Sequence, residues 1–250
     1  MTEDFLPIIA YIFAFFVSLW FGNFITSFYF RIPRGISLNG KENPPMCSTC
    51  GIRLKYPDYG PLYYYIFRGK SCKTCGAPIP PEYFFIELFT ALTCLTTFAV
   101  HGVSEKSCLM VFVILSYILA LLINASHGKV PEKSLWIAFL ATIAYTFYSL
   151  KFEQSVMYII VTNSAFGFAF GMILQKLIIK KPLPQGYMPI LALISIIQTK
   201  GLSVLMFTIA FILIAIFHKK IALKHFMNGV IAIALVLLIL DISYPYLELT

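Results

Sequence analysis

The runs Cys47-Ser48-Thr49-Cys50-Gly51 and Cys72-Lys73-Thr74-Cys75-Gly76 lie in the only long polar stretch of this 250-residue chain. We call them the first and the second knuckle. Two thiolates two residues apart can reach one tetrahedral ion, and the following glycine lets backbone amides turn toward the sulfurs. With 21 residues between Cys50 and Cys72, slightly more than usual, the pattern predicts a structural zinc site with ligands Cys47, Cys50, Cys72 and Cys75. Two disulfides or four unliganded thiols are the alternatives. A structural zinc contributes on the order of 10 kcal/mol to the folding of a loop with little core.

The rest of the chain is too apolar for a soluble domain. It is 59% hydrophobic and 12% charged, with a mean hydropathy of +0.83, against about 45–50% apolar and about 25% charged residues in soluble domains. We therefore predict an all-α polytopic membrane protein of about eight transmembrane helices, at residues 5–30, 83–101, 108–125, 135–150, 155–178, 187–198, 201–217 and 229–247. The sixth is short, so we expect it to be tilted, broken or enclosed by other helices.

The predicted helices divide the chain into three regions. They are a first transmembrane helix at 1–30, a zinc-binding loop domain at 31–82 and a seven-helix membrane domain at 83–250. The first apolar run is too long for the core of a secretory signal and follows Glu3 and Asp4 rather than basic residues, so we expect it to remain as a helix.

The basic residues predict the orientation. With the N-terminus outside, 16 of the 19 Lys and Arg residues fall on the inner side, and only Lys106, Lys151 and Lys200 lie outside. Both termini are then outside, and the zinc-ribbon-like loop faces the reducing cytosol, where disulfides are rare. Zinc ribbons often bind nucleic acid, but the topology already requires the basic residues of this loop. We predict membrane lipid and no nucleic acid as a partner.

Ordered motifs within residues 22–92 resemble the bacterial type IV prepilin peptidases. The motifs are Gly22-Asn23-Phe24 through Arg31-Ile32-Pro33, the first knuckle, Asp58-Tyr59-Gly60-Pro61-Leu62, Arg68-Gly69-Lys70, the second knuckle, and Ile79 to Tyr83 followed by Glu87-Leu88-Phe89-Thr90-Ala91-Leu92. The resemblance implies a protein of the bacterial cytoplasmic membrane. It also implies a bifunctional enzyme that cuts the leader from prepilins and pseudopilins and then methylates the new N-terminus with S-adenosylmethionine.

The resemblance further implies two catalytic aspartates, one at the inner end of the third helix and one in a Gly-x-Gly-Asp motif at the start of the sixth. An aspartic peptidase needs both, because one carboxylate activates water while the other stays protonated. Here Asn124 occupies the position of the first aspartate. At the second motif the chain has Gly186 followed by Tyr187, so that Tyr187, or Pro189 in another register, stands where the second aspartate is expected. None of these side chains can replace an aspartate.

The acidic residues support the same prediction without an alignment. No Asp or Glu lies between Glu153 and Asp241. Glu132 is a single carboxylate near the first motif, and Asp241 is expected at the outer end of the last helix. We therefore predict that aspartic peptidase activity has been lost and that Asn124, Gly186 and Tyr187 are vestigial positions.

Four further features carry open alternatives. Glu87 is expected in a polar cavity, beside a basic partner, or extended to the interface. His127 suits a proton carrier, a metal ligand or an interfacial side chain. Gly167 and Gly171 predict close helix packing, within one chain or between subunits. The aromatic run 63–67 suits a peptide-binding surface, burial against the zinc loop, or contact with headgroups.

The leading hypothesis is a degenerate prepilin peptidase homologue with an intact zinc loop. Its retained role would be binding prepilin or pseudopilin N-terminal segments, partnering an active peptidase paralogue, or N-methylation. The sequence shows no glycine-rich cofactor loop, so the residues that would bind S-adenosylmethionine stay unassigned. The alternatives are a non-enzymatic membrane scaffold for pilus or type II secretion assembly, and a peptidase with an unrecognised catalytic arrangement.

Overall fold

The computed structural model describes residues 2–55, 58, 60–67, 69–149, 155–197, 209, 212–213, 216–217 and 222–240. The chain divides into two compact units, Met1–Val103 and Ser104–Thr250. In the described residues the regular structure is helical, apart from two isolated β-bridges within the loop that carries the cysteines.

The first unit has two long helices and one short helix. They are α1 (Thr2–Arg31), α2 (Pro61–Phe67) and α3 (Pro81–His101). Proline at the first position of α3 suits a helix start, because its fixed φ is helical and its missing N–H is not needed there. α1 packs against α3, and Gly22 allows close approach, since a Cβ atom on it would lie 3.0 Å from the Cα atom of Glu87.

The second unit is a helical bundle. Its helices are α4 (Glu105–His127), α5 (Glu132–Ser149), α6 (Ser155–Ile173), continued by a π-helix at Leu174–Ile179, α7 (Tyr187–Ile197) and α8 (Leu223–Ile239). α4 starts with a capping box in which Ser104 and Ser107 each accept a hydrogen bond from the backbone N–H of the other, at 3.2 and 2.8 Å. Its buried side packs against α5 and α8, so α4 is central to this unit.

The glycines of α6 face α7. A Cβ atom on Gly167 would lie 2.5 Å from the carbonyl oxygen of Leu191, and one on Gly171 would collide with the sulfur of Met188. Of the two alternatives for this glycine pair, the structure therefore supports close packing within one chain.

Four described helical segments are long and apolar enough to cross a membrane: Tyr11–Arg31, Pro81–His101, Glu105–His127 and Met157–Leu177. They match the predicted spans at 5–30, 83–101, 108–125 and 155–178. α7 is short, as expected, and α8 begins at Leu223 rather than at residue 229. α5 covers the predicted span at 135–150 but is not among the four. The predicted span at 201–217 and the end of the last one lie largely outside the described residues.

Candidate functional site

The two knuckles have the same backbone fold. In the first, the N–H of Cys47 donates to the carbonyl of Ile52 at 2.9 Å, and the N–H of Gly51 donates back to the carbonyl of Cys47 at 3.0 Å. A bridge between Met46 and Arg53 closes the base. Gly51 has φ +69°, a conformation that favours glycine. The turn therefore explains why a glycine follows Cys50.

The second knuckle repeats each contact. Cys72 donates to Ala77 at 2.8 Å, Gly76 donates to Cys72 at 2.9 Å, and a bridge joins Ser71 to Pro78. Gly76 also has φ +69°. The local fold that the Cys-x-x-Cys-Gly pattern predicts is therefore present twice.

The knuckles bring their sulfurs into one cluster. The Sγ atoms of Cys47, Cys50, Cys72 and Cys75 lie within 4.8 Å of one another, and those of Cys47 and Cys75 are 3.9 Å apart. A tetrahedral zinc ion with Zn–S distances of about 2.3 Å would place its sulfurs about 3.8 Å apart. Four thiols also form the soft donor set that zinc accepts. All four are free thiols, and the residues therefore fit a structural zinc ion.

Backbone amides favour thiolate formation in this cluster. The N–H groups of Cys75 and Thr74 lower the pKa of Cys72 to about 6. The N–H of Cys50 lowers the pKa of Cys47 in the same way. Because a metal ion binds the thiolate, these amides favour a cation at Cys47 and Cys72, whereas burial and the neighbouring thiols raise the pKa of Cys75 to about 11.

Polar contacts attach the cysteine loop to the end of α1 and join two parts of the loop to each other. The buried guanidinium of Arg31 donates to the carbonyl of Asn43 at 2.7 Å, and Lys73 forms an ion pair with Asp58 at 2.8 Å. A cavity of about 160 Å³ lies between the end of α1, the knuckles and the starts of α2 and α3. Ser27, Thr49, Tyr64 and Tyr83 are among the residues that line it, so both polar and aromatic groups face this space.

Glu87 is only 3% exposed, which excludes the interfacial alternative. Its Oε2 accepts a hydrogen bond from the backbone N–H of Leu62 at 2.5 Å. The described partner is therefore the start of α2 rather than a basic side chain. Sequence reasoning missed this contact, because nothing in the spacing of Leu62 and Glu87 indicates it.

A second polar group of residues lies in the other unit, at the end of α4. The fully buried Asn124 accepts a hydrogen bond at Oδ1 from the Tyr187 hydroxyl at 2.8 Å. Its Nδ2 donates to Asn228 Oδ1 at 2.8 Å and to the carbonyl oxygen of Lys224 at 3.2 Å. We call Asn124, Tyr187 and Asn228 the amide cluster.

The amide cluster joins Asn124 to Tyr187, one of the two residues that the resemblance allows at the place of the second aspartate. Tyr187, rather than Pro189, has the side chain that contacts Asn124. Gly186 packs against the loop before α5, where the N–H of Val130 donates to the carbonyl of Gln185 at 2.9 Å. A Cβ atom on Gly186 would collide with the carbonyl oxygen of Val130. Asn228 was not predicted as a member.

The chemistry of the amide cluster is neutral. Among the described residues, the hydrogen-bond partners of Asn124 and Tyr187 include no carboxylate. Glu132 is exposed at the start of α5, and His127 is exposed at the end of α4. An amide and a phenol in mutual contact supply neither the ionised base nor the acid that an aspartic peptidase uses.

Comparison with known proteins finds a family match within the first unit. Residues 16–101 match the family described as Bacterial Peptidase A24 N-terminal domain. A prepilin leader peptidase/N-methyltransferase of Dichelobacter nodosus is 30% identical over 116 residues, which cover 44% of this chain and 40% of that protein. A protein of the same description from Vibrio cholerae serotype O1 is 33% identical over 78 residues, which cover 29% and 31%. No solved structure matches.

These findings define the chain as an apolar, helical membrane protein with a four-cysteine cluster. Its residues 16–101 match the N-terminal domain of the A24 peptidases, and it is similar over part of its length to two prepilin leader peptidase/N-methyltransferases. The aligned regions span less than half the length of either curated relative, and the family match ends before α4. The amide cluster therefore lies beyond the residues that match the family.

Proposed function

We propose that this protein recognises the N-terminal segments of prepilins or pseudopilins in the bacterial cytoplasmic membrane without cleaving them. The observation that carries the proposal is the 2.8 Å hydrogen bond between Tyr187 and Asn124. The two positions that would form an acid pair are adjacent, as a peptidase framework requires, but one has an amide and the other a phenol. The framework is kept while the groups that would activate water are replaced.

The proposed topology has eight transmembrane helices, both termini outside and the zinc loop in the cytosol. Four apolar helices of sufficient length and two shorter ones support it, together with the uneven distribution of the 19 basic residues. In this arrangement the knuckles lie at the membrane face where a prepilin leader would be presented.

The cysteine cluster is proposed to hold a structural zinc ion with the ligands Cys47, Cys50, Cys72 and Cys75. The matching fold of the two knuckles and the close approach of the four sulfurs support this assignment. The ion would fix the loop between α1 and α3, which has few buried apolar residues of its own.

A second candidate function is N-methylation of a prepilin that another peptidase has already cut. Its support is the cavity of about 160 Å³ beside the knuckles, because it lies in the unit that matches the family. That cavity would offer room for part of a methyl donor or for a peptide end. An active peptidase paralogue would then be a functional partner.

The test uses the full-length protein in lipid nanodiscs, a labelled prepilin peptide and S-adenosylmethionine. We expect the uncut peptide to bind and to remain intact, as measured by fluorescence anisotropy and mass spectrometry. Methyl incorporation into pre-cut peptide alone would add the transferase role. Absence of both binding and methylation would favour a scaffold instead.

Two variants control for cleavage by an unrecognised arrangement. Glu132→Gln removes the carboxylate at the start of α5. Glu105→Gln removes the other described carboxylate of this unit, which accepts a hydrogen bond from Tyr148 at 3.0 Å. Leader removal that is lost in Glu132→Gln but kept in Glu105→Gln would overturn the proposal.

A further inference from the structure

The short helix α2 lies alongside the first turns of α3. Leu62, near the start of α2, donates its N–H to Glu87, while the ring of Tyr65 lies 5.2 Å from that of Phe84. The Tyr65 hydroxyl also donates to the carbonyl of Ile79 at 2.6 Å. Leu62, the earlier residue of α2, contacts Glu87, the later residue of α3, and Tyr65 contacts the earlier Phe84. The two helices therefore run antiparallel, and the N-terminus of α2 lies beside Glu87 rather than beside the start of α3.

This contact sets the depth of α2 relative to the membrane. α3 is one of the four candidate spans and begins at Pro81. Glu87 is six residues further on, or about 9 Å along the helix axis at about 1.5 Å per residue. The headgroup region on each side of a bilayer is only about 5–8 Å thick. α3 has 21 residues, about 31 Å, close to the roughly 30 Å of the hydrocarbon core, so an α3 that crosses the bilayer has Pro81 near the boundary between headgroups and acyl chains. The start of α2, beside Glu87, then lies inside this boundary, and its end, which follows the contact of Tyr65 with Phe84, lies near it.

The side of α2 that faces away from the protein is apolar. Tyr64 is buried, at 2% exposure, whereas Ile66 and Phe67 are 58% and 69% exposed. Beyond them the chain continues as Arg68-Gly69-Lys70, and the ammonium of Lys70 lies 5.6 Å from the centre of the Tyr65 ring. Exposed apolar side chains followed by cations are typical of a segment that rests in an anionic membrane surface.

We propose that α2 is an interfacial helix that inserts Ile66 and Phe67 into the boundary between headgroups and acyl chains. We expect lipid, rather than another protein, to cover Ile66 and Phe67. The reason is that α2 lies against α3, whose exposed aromatic residues Phe85 and Phe89 would continue into the membrane. The insertion would hold the cysteine loop against the membrane surface. It is independent of whether the amide cluster is catalytic.

The test places tryptophan at position 67 of the full-length protein. Trp20 and Trp136, which are both exposed, are first replaced by Phe. The Phe67→Trp variant is reconstituted in nanodiscs of phosphatidylcholine and phosphatidylglycerol with brominated acyl chains. We expect its emission to be blue-shifted, and to be quenched more by bromine near the glycerol end of the chain than by bromine near the methyl end.

Two further variants make the result decisive. Ile66→Trp, which probes the neighbouring position, is expected to behave in the same way and replaces Phe67→Trp if that variant does not fold. Ile52→Trp, at an exposed position of the first knuckle, is expected to emit as in water and to remain unquenched. Unquenched, water-like emission from position 67 or 66 would overturn the proposal. Blue-shifted emission without quenching would also overturn it, since protein rather than lipid would then cover α2.

Discussion

At the residue scale, Asn124 connects three helices through one side chain. Its amide is hydrogen-bonded to Tyr187 at the start of α7 and to two groups of α8. A buried polar group that loses its partner costs about 1–3 kcal/mol, because it was already removed from water. The stability of this end of the bundle therefore depends on the amide.

We expect Asn124→Ala to lower the free energy of unfolding by about 1–3 kcal/mol, since it leaves the Tyr187 hydroxyl and the Asn228 amide without their described partner. Thermal unfolding in detergent, followed by circular dichroism, measures the change. His127→Ala removes an exposed side chain of the same helix end and is expected to change the stability by less than about 0.5 kcal/mol. Equal effects of the two variants would contradict the structural role of the amide.

Gly186 supports a second prediction. It combines φ +87° with direct contact to Val130, so Gly186→Ala adds both backbone strain and a collision. We expect a loss of at least about 1–3 kcal/mol. Gly128 has a similar φ of +67° but open space around it, so Gly128→Ala measures the backbone strain without a collision. Gly229 lies in a helix with open space around it, so we expect Gly229→Ala to be neutral or stabilising. A different order of the three variants in thermal unfolding would contradict this account.

At the scale of the elements, the carboxylate of Glu87 holds α2 against α3. Removing it in Glu87→Ala should free the Leu62 N–H, so we expect hydrogen exchange of this amide to speed up by about tenfold or more. Glu87→Gln keeps an acceptor oxygen and should show a smaller increase. Glu82→Ala, which removes an exposed carboxylate in the first turn of α3, is the control. Unchanged exchange in Glu87→Ala would show that other contacts, such as the ring contact of Tyr65 with Phe84 and its hydrogen bond to Ile79, are enough to hold α2.

At the scale of the whole molecule, the cysteine loop connects two candidate spans. We expect about one zinc ion per chain by elemental analysis. Three of the four sulfurs belong to residues that are not fully buried, so a strong chelator should reach the site. Chelation should make the loop between α1 and α3 sensitive to protease while the apolar helices stay protected. The free energy of metal binding would no longer stabilise the loop.

Single substitutions separate metal loss from a general effect of removing thiols. Cys72→Ser should lose the zinc ion and expose the loop to protease. Cys108→Ser changes an exposed cysteine outside the cluster and should keep both the metal and the protection. Full protease resistance of a metal-free Cys72→Ser protein would disprove a structural role of zinc.

The sequence predicts local features of this molecule better than distant contacts. The knuckles could be predicted because the cysteine spacing and the following glycine define each of them within five residues. The long helices could be predicted because apolar composition alone indicates them. Asn228 could not, since it contacts a residue 104 positions away and lies in an otherwise ordinary apolar helix. The contact between Leu62 and Glu87 was missed for the same reason, because it depends on how α2 packs against α3.

The amide cluster has an electrical consequence. A charge buried in a membrane protein responds to the voltage across the bilayer, by about 2.3 kcal/mol per elementary charge per 100 mV if it moves across the whole membrane. The side chains of Asn124, Tyr187 and Asn228 carry no net charge, so the field exerts no net force on them. A pair of ionised acids would add charge that responds to the membrane voltage at this end of the bundle, whereas these three groups add none.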